Sequence, residues 1–515
     1  MRAQGIDRDE GFCFDLVMSS WKQYRTWNPD QPYLFPPDPH DWLREDDLAY
    51  FILDVVSALD LSVIERAIQG KDPRGTRPYH PRMMVAILLY GYCVGVMSSR
   101  KLEAATYRDV AFRVIAGGNH PDHTVISEFR REHSDAFHDL FVQTVRLAQK
   151  AGLVKLGRVG LDGTKVQANA SKHKAMSYER MVKSEAELSA EIAEILGDAE
   201  RTDEEEDARY GRGKRGDEIP EELSRRETRL ARIQRAREEL EAEAAEARAE
   251  VLRERAEKQR KHAETTDDEV EQKRARTRAA KWEEQAEKLS RDDDEEDPPA
   301  SPGSSADDLP EHRVPTTPEG TPTDKAQRNF TDPDSRIMRR DGSYMQGYNC
   351  QAAVDDDHQI IIGCAATNQA ADLRHFVPLV EQVFQNCGKY PDKLLADAGY
   401  WYEEHPDYCE DLGIDPYIAT ERFKHGQRIP PARGRPPKDL DAKGKMYRKL
   451  RTKKGREEYA RRKVIPEPVF GQIRESQGFR RFLLRGKRKI GSEWALVCGC
   501  HNLLKIFRSS RPAFA

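Results

Sequence analysis

Long apolar runs are missing from this 515-residue chain. The most apolar stretch, Met83 to Met97, is shorter than the ~20 residues a bilayer span needs, so it reads as a buried helix and no membrane partner is expected. Cysteine is scarce. Eight residues (Cys13, Cys93, Cys350, Cys364, Cys387, Cys409, Cys498 and Cys500) form no disulfide framework in a chain this size, and no signal peptide precedes them, which points to a cytoplasmic setting. Cys498, Cys500 and His501 lie together, but C-x-C-H in an apolar helix lacks zinc-finger spacing and reads as core packing.

Charge is abundant instead. At 34% charged residues the chain must carry long solvated helices or disorder beside its cores, and its length calls for two to four domains. The net charge of −5 hides blocks of opposite sign. Two dozen Lys and Arg stand against seven acids between Glu421 and Lys489, the footprint of a nucleic-acid surface or of a solvated basic loop.

After an N-terminal extension (1–40), residues 41–151 show helical periodicity throughout and are expected to form an all-α DNA-binding and assembly domain. Asp46 and Asp47 can cap a helix carrying Leu48, Phe51, Ile52 and Val55, Pro81 opens the apolar helix, and Ser98 and Ser99 can cap a helix running through Leu102 to Val114. A Gly117-Gly118 break precedes a helix near Thr124 that bears Arg130 and Arg131. Helix, glycine break and basic helix fit a helix-turn-helix, with these arginines toward DNA, and equally an ordinary bundle.

The pattern turns to β alternation from Leu153 to Gln167, with Asp162 closing an apolar run. A buried acid at a strand tip must be paired or bind a metal, whereas an Asp-Gly turn is the plainer alternative. Residues 170–290 are a charged helical insert, coiled-coil-like in its Leu230, Ile233, Leu240, Ala244, Ala247 and Val251 spacing, with the basic Gly211–Gly216 segment as a turn. An acidic, Pro/Ser-rich linker expected to be disordered follows over 291–325. Two strands then form a hairpin (Ser343 to Asp355, His358 to Asn368), followed by a helix from Ala371, in which Asp372 reads as a helix start. Asp392 to Asp397 is a short strand ending in an acid, and Asp415 to Thr420 is another.

Without the insert, residues 152–169 and 326–515 read strand, strand, strand, helix, strand, helix, strand, helix. That is the order of an α/β ribonuclease-H-like catalytic core, whose first and fourth strands lie side by side and would bring Asp162 and Asp397 to one edge. Arg461 to Arg485 reads as one further helix. Pro466 and Pro468 suit only its first turn, which puts Glu467 at a helix start, where negative charge is favoured, and Arg474 two turns on along the same face. Three converging carboxylates are stable only around cations, and hard oxygen ligands with open positions suit Mg²⁺ or Mn²⁺. Two such ions about 4 Å apart would activate a water or 3′-hydroxyl and stabilise the leaving oxygen of a phosphodiester.

LDGTKVQANAS, GYNCQAAVDDDHQIIIGCAATNQAADLRHFVPLV, LLADAGYWYEEH and EPVFGQIRESQGFRRFLLRG resemble the DDE transposases of bacterial insertion sequences, particularly the group with a charged helical insert after the first strand. YLFPPDPHDWLREDDLAYFI and YHPRMMVAILLYGYCVGVMSSRKLEAATYRD resemble their helical N-terminal domain. The resemblance implies that Asp162, Asp397 and Glu467 are the catalytic metal ligands. It further implies a function: cutting double-stranded DNA at element ends and joining it to target DNA, as a homodimer or larger assembly that is nucleoid-associated when bound. It also carries a Tyr, Arg and Lys signature around the glutamate. Here Tyr459 and Arg462 precede Glu467 with one residue too many, to be absorbed before Pro466, and Arg474 stands for the lysine; an arginine there still binds phosphate. Arg433 and Arg435, in an Arg-Gly-Arg-Pro segment, resemble an AT-hook core that inserts into narrow A·T minor grooves. Two rival readings remain open from the sequence: a non-catalytic DNA-binding regulator or domesticated relic that keeps the fold, and a coiled-coil scaffold.

Overall fold

The computed structural model describes residues 24–28, 42–193, 221–290 and 309–510, apart from 73, 75, 310, 311, 341, 423–429, 433, 436 and 438. The Gly211–Gly216 turn expected in the insert therefore lies outside the described residues. Two compact units divide the chain, one of residues 1–91 and 96–136 and one of 92–95 and 137–515.

The first unit is helical, as its periodicity predicts: α1 (Leu48–Ala58), α2 (Ser62–Gln69), most of α3 (Pro81–Val94), α4 (Ser99–Arg108), α5 (Val110–Ala116) and α6 (His123–Glu132). Asp47 caps α1 through Ala49 N, and Ile52, Val55 and Val56 are buried behind it. The single helix expected from Ser99 to Val114 breaks at Asp109, which adopts an extended ψ of 127° and caps α5 with its carboxylate on Ala111 N and Phe112 N. That bond satisfies the amides that a helix start leaves open. Gly117, at φ 55°, ends α5 in the left-handed conformation only glycine adopts readily.

The second unit takes in α7 (Ala136–Lys150), which the sequence groups with the N-terminal helices. The reason is packing. Thr144 hydroxyl meets the Asn502 amide, and Gln149 donates to Cys387 O. A mixed sheet forms the core, from β1 (Val159–Gln167), β4 (Arg336–Arg340), β5 (Ser343–Asp355), β6 (Ile361–Thr367), β7 (Lys393–Ala396) and β8 (Asp415–Ile418). Its order is β4-β5-β1-β7-β8, with β6 also on β5, and β1 runs antiparallel to β5 but parallel to β7. This agrees with a ribonuclease-H-like arrangement. Flanking helices are α11 (Phe376–Cys387), α12 (His405–Asp411) and α16 (Lys487–Ser510), the last buried through most of its length. Cys498 and Cys500 are fully buried in it, and His501 is turned to the Gln359 carbonyl, the packing role expected of them. No single helix among the described residues is long and apolar enough to cross a membrane.

The insert begins with a small sheet of β2 (Ala175–Ser177) and β3 (Gln327–Asn329), then a helix over 178–193, α8. The long α9 (Glu221–Thr265) folds back on α10 (Glu269–Leu289) as a helical hairpin, so the turn lies at 266–268. Met181 and Leu188 of α8 pack with Ile233, Ala236, Leu240 and Ala244 of α9, together with Val314 and Ala326. Residues 312–325, expected to be disordered, are instead ordered against the insert. Val314 is buried, Arg313 binds Glu250 and Glu254, and Thr316 bridges Pro322. Apolar docking at Val314 supplies the free energy that the polar composition alone does not reveal.

Candidate active site

Strand register explains how two distant aspartates meet. Val159 pairs with Leu394 and Gly160 with Leu395; two residues on along each parallel strand stand Asp162 and Asp397. Asp162 is not at the end of its own strand, as the sequence suggests, but opposite Ala352 in the middle of the β1–β5 ladder. β1 outruns β7, so Asp162 is terminal only with respect to β7. Asp397 stands just past Ala396 and accepts from Gly399 N at 2.7 Å, which opens the tight turn Ala398–Tyr400.

Glu467 arrives from the other side. The predicted helix over Arg461 to Arg485 is several pieces: the end of α14 (Lys453–Val464), a joint at Ile465, α15 (Pro466–Gly471), and a π-helical turn over Gln472–Ser476. Pro466 lacks an amide hydrogen and ends the α14 hydrogen-bond ladder, so Ile465 takes φ −91° and ψ −73° as a one-residue joint between helices. Across that joint Arg462 faces two acids, with one guanidinium nitrogen 3.5 Å from Asp162 Oδ2 and the other 3.4 Å from Glu467 Oε1. Tyr459, one turn earlier, is half-buried beside Arg462. The π turn carries Arg474, which reaches Thr164 Oγ1 at 3.4 Å, two residues along β1 from Asp162. Inserted residues of this kind re-aim a helix, and they recur at functional sites.

Burial pushes the Asp162 carboxyl up to about 6, against the opposing pull of Arg462 and of Gly163 N–H; the charges of Asp397 and Glu467 add to the rise. Arg462 is thus the cation shared by Asp162 and Glu467. A basic frame anchors this arrangement. Glu458 on α14 accepts from Arg158 Nε at 2.6 Å and from Lys393 Nζ, and these bonds, Arg158 first, hold its carboxyl down to about 2.

Asp372 stands at a helix start, as expected: it is the N-cap position of the short 3₁₀ turn Leu373–His375 that leads into α11 at Phe376, but its side chain caps nothing. It turns instead toward the sheet. Its Oδ1 accepts from Lys165 Nζ at 3.2 Å, Asn349 Nδ2 at 2.8 Å and Gln351 Nε2 at 2.7 Å. Burial alone would raise this carboxyl, yet Lys165 and the amide donors hold it below the ordinary carboxylate range. One signal in the sequence could have found this group: Lys165, Asn349 and Gln351 are polar residues in otherwise apolar strands, and β1–β5 pairing sets Lys165 opposite Asn349 and Gly163 opposite Gln351.

Other expected DNA contacts divide. Arg130 is buried and donates to Met97 O at 2.8 Å, a structural role inside the helical unit, while Arg131 is exposed. Arg130 turns inward because α6 presents it on the face that also buries Ile126 and Phe129. Arg435 is exposed; Arg433 lies outside the described residues. Between them Gly434 O accepts from Arg448 on α13 (Ala442–Arg451). The helical unit holds a group that the sequence does not announce. Glu103, Asp122 and His123 bring their ligand atoms within 4.8 Å of one another and can hold a divalent cation. In this structure Glu103 accepts from His123, and Asp122 caps α6.

Two family models match parts of the chain. Residues 38–132 match the family described as Transposase domain (DUF772), and residues 313–503, which include Asp397 and Glu467 but not Asp162, match Transposase DDE domain. No curated protein and no solved structure matches the chain. The chain therefore carries a transposase DDE domain together with a second transposase domain, which supports a place in a transposase family and DNA as its general class of partner.

Proposed function

We propose that this protein is an insertion-sequence transposase of the DDE type with a charged helical insert, and that it acts on element ends and target DNA as a dimer or larger assembly. One observation carries the reading: Arg462 pairs with Asp162 of β1 and with Glu467 at the start of α15, and the charge of Asp397, just past β7, acts on the same Asp162 carboxyl. Asp162, Asp397 and Glu467 would hold Mg²⁺ or Mn²⁺. The oxygen donors suit such ions. Bound there, two ions supply activation of the attacking oxygen and stabilisation of the leaving one.

The remaining work falls to the chain. Arg462 balances the acids before DNA arrives, and Arg474, aimed over Thr164, supplies a bidentate phosphate donor beside them. Cleavage breaks a P–O3′ bond as a water oxygen adds to phosphorus, leaving a 5′-phosphate, and the proton of the water goes to the departing 3′-oxygen, which leaves as a hydroxyl. Joining repeats the exchange with that hydroxyl as the attacking group on target DNA. Neither step needs an oxidant or reductant. The exposed basic residues of α13 and α14, among them Lys443, Lys453 and Arg456, supply a surface for the DNA backbone. In Mg²⁺, Asp162→Ala and Asp397→Ala should each abolish cleavage at element ends while gel-shift binding of those ends persists. Undiminished cleavage by either variant refutes the catalytic reading and leaves the DNA-binding regulator.

A further inference from the structure

The three acids leave a fourth buried carboxylate unexplained. Asp372 lies against the glycine that follows Asp162 and against the glycine two residues beyond Asp397. A Cβ built on Gly163 would stand 3.0 Å from Asp372 Oδ1, and one on Gly399 would stand 3.1 Å from Asp372 Oδ2 and 2.9 Å from Asp397 Oδ1. All three of its donors converge on Oδ1, and no described residue donates to Oδ2, which lies beside Gly399. The network reaches the Asp397 turn by a second route. Gln351, which donates to Asp372, accepts from the hydroxyl of Tyr400, the last residue of that turn. Lys165 sits three residues past Asp162 on the same strand, so one carboxylate ties together β1, β5 and the turn of Asp397.

We propose that Asp372 is a positioning residue: through Lys165, Asn349, Gln351 and Tyr400 it holds the strand of Asp162 and the turn of Asp397 at the separation that binds divalent ions. This rests on the metal-site reading above. The pair with Lys165 makes the network neutral, so it adds rigidity beneath the acids without adding to their repulsion. Groups that orient metal ligands typically change affinity by about 10- to 100-fold when removed.

Manganese binding to the full-length protein, followed by electron paramagnetic resonance, tests it directly. Asp372→Asn should weaken Mn²⁺ binding at least about tenfold. Element-end DNA binding should stay unchanged, and raised Mn²⁺ should restore cleavage to the parent plateau, whereas Asp162→Asn should not be rescued at any concentration. If Asp372→Asn leaves a lone buried Lys165 and fails to fold, the paired variant Lys165→Gln with Asp372→Asn should show the same loss and the same rescue. Mn²⁺ affinity within twofold of the parent, with binding abolished by Asp162→Asn, overturns the positioning role and leaves the metal site standing. Unaltered binding in both Asp162→Asn and Asp372→Asn overturns the site and the inference together.

Discussion

Burial sets the Asp162 carboxyl near 6, above its ordinary 3.8, so the folded protein holds this proton more tightly than the unfolded chain does. The sign follows. Stability from this group is fully present below about pH 4, declines as pH rises, and is lost above about pH 6. A shift of this size corresponds to about 3 kcal/mol at neutral pH. Asp162→Asn should therefore raise the melting temperature at pH 7.5 and give no gain at pH 4, while cleavage is lost; melts at the two pH values check it. On the proposed metal-site reading, a destabilised acid kept in place is what a ligand position requires, since a bound cation would relieve it. Gly163 makes the second residue-scale case. A methyl group there would overlap Gln351 Nε2, so Gly163→Ala should cost about 1–3 kcal/mol through displacement of the Gln351 and Asp372 amide–carboxylate contact, measurable by urea melts. Neither property could be read from the sequence: the first depends on burial and on Arg462, Asp397 and Glu467, the second on Gln351 and Asp372, all about two to three hundred residues away in the chain.

Among the elements, α14 has the most to hold. It carries Tyr459 and Arg462 toward the acids, and Glu458 pins it to Arg158 before β1 and to Lys393 at the start of β7. The folded pKa of Glu458 is about 2, below its ordinary 4.5, so this anchor is complete above pH 4.5 and fades as pH falls toward 2. Glu458→Gln should cost about 2 kcal/mol at pH 7, water screening part of the pair. It should also reduce cleavage by misplacing Arg462, and the stability difference from the parent should shrink between pH 4.5 and 2 in melts. The α14–α15 joint shows how local sequence can mislead. Arg461 to Arg485 has the spacing of one helix, but the structure divides it: Pro466 does open a first helical turn with Glu467 in it, yet that turn starts a new helix, α15, beyond the Ile465 joint. Periodicity reports which faces are apolar. It does not report the bend.

At the scale of the whole second unit, the insert is attached by charge as well as by apolar packing. Glu243 binds Arg336 of β4 and Arg328 of β3, and Glu239 joins Arg328; both arginines are almost fully covered. Removing all of 178–289 would strip these partners and expose Val314 and Ala326. Such a deletion should lower stability sharply. Removing only the distal hairpin, residues 263–280, leaves the Arg260–Glu283 pair and the proximal core intact. That shorter protein should melt within about 2 °C of the parent, the shift produced by less than 1 kcal/mol in a chain this long, and should still bind element-end DNA. Differential scanning calorimetry and gel shifts distinguish the two deletions. The sequence by itself determined the helical N-terminal unit, five of the six core strands but not the edge strand β4, the helical character of the insert and the acid that closes LLAD, because hydrophobic period and turn chemistry are local. Tertiary structure alone decided that Asp162 stands mid-ladder, that Arg130 faces inward, that Arg462 joins two acids, and that Asp372 lies beneath them. Those four depend on register and packing between segments far apart in the chain, and no short window of sequence records them.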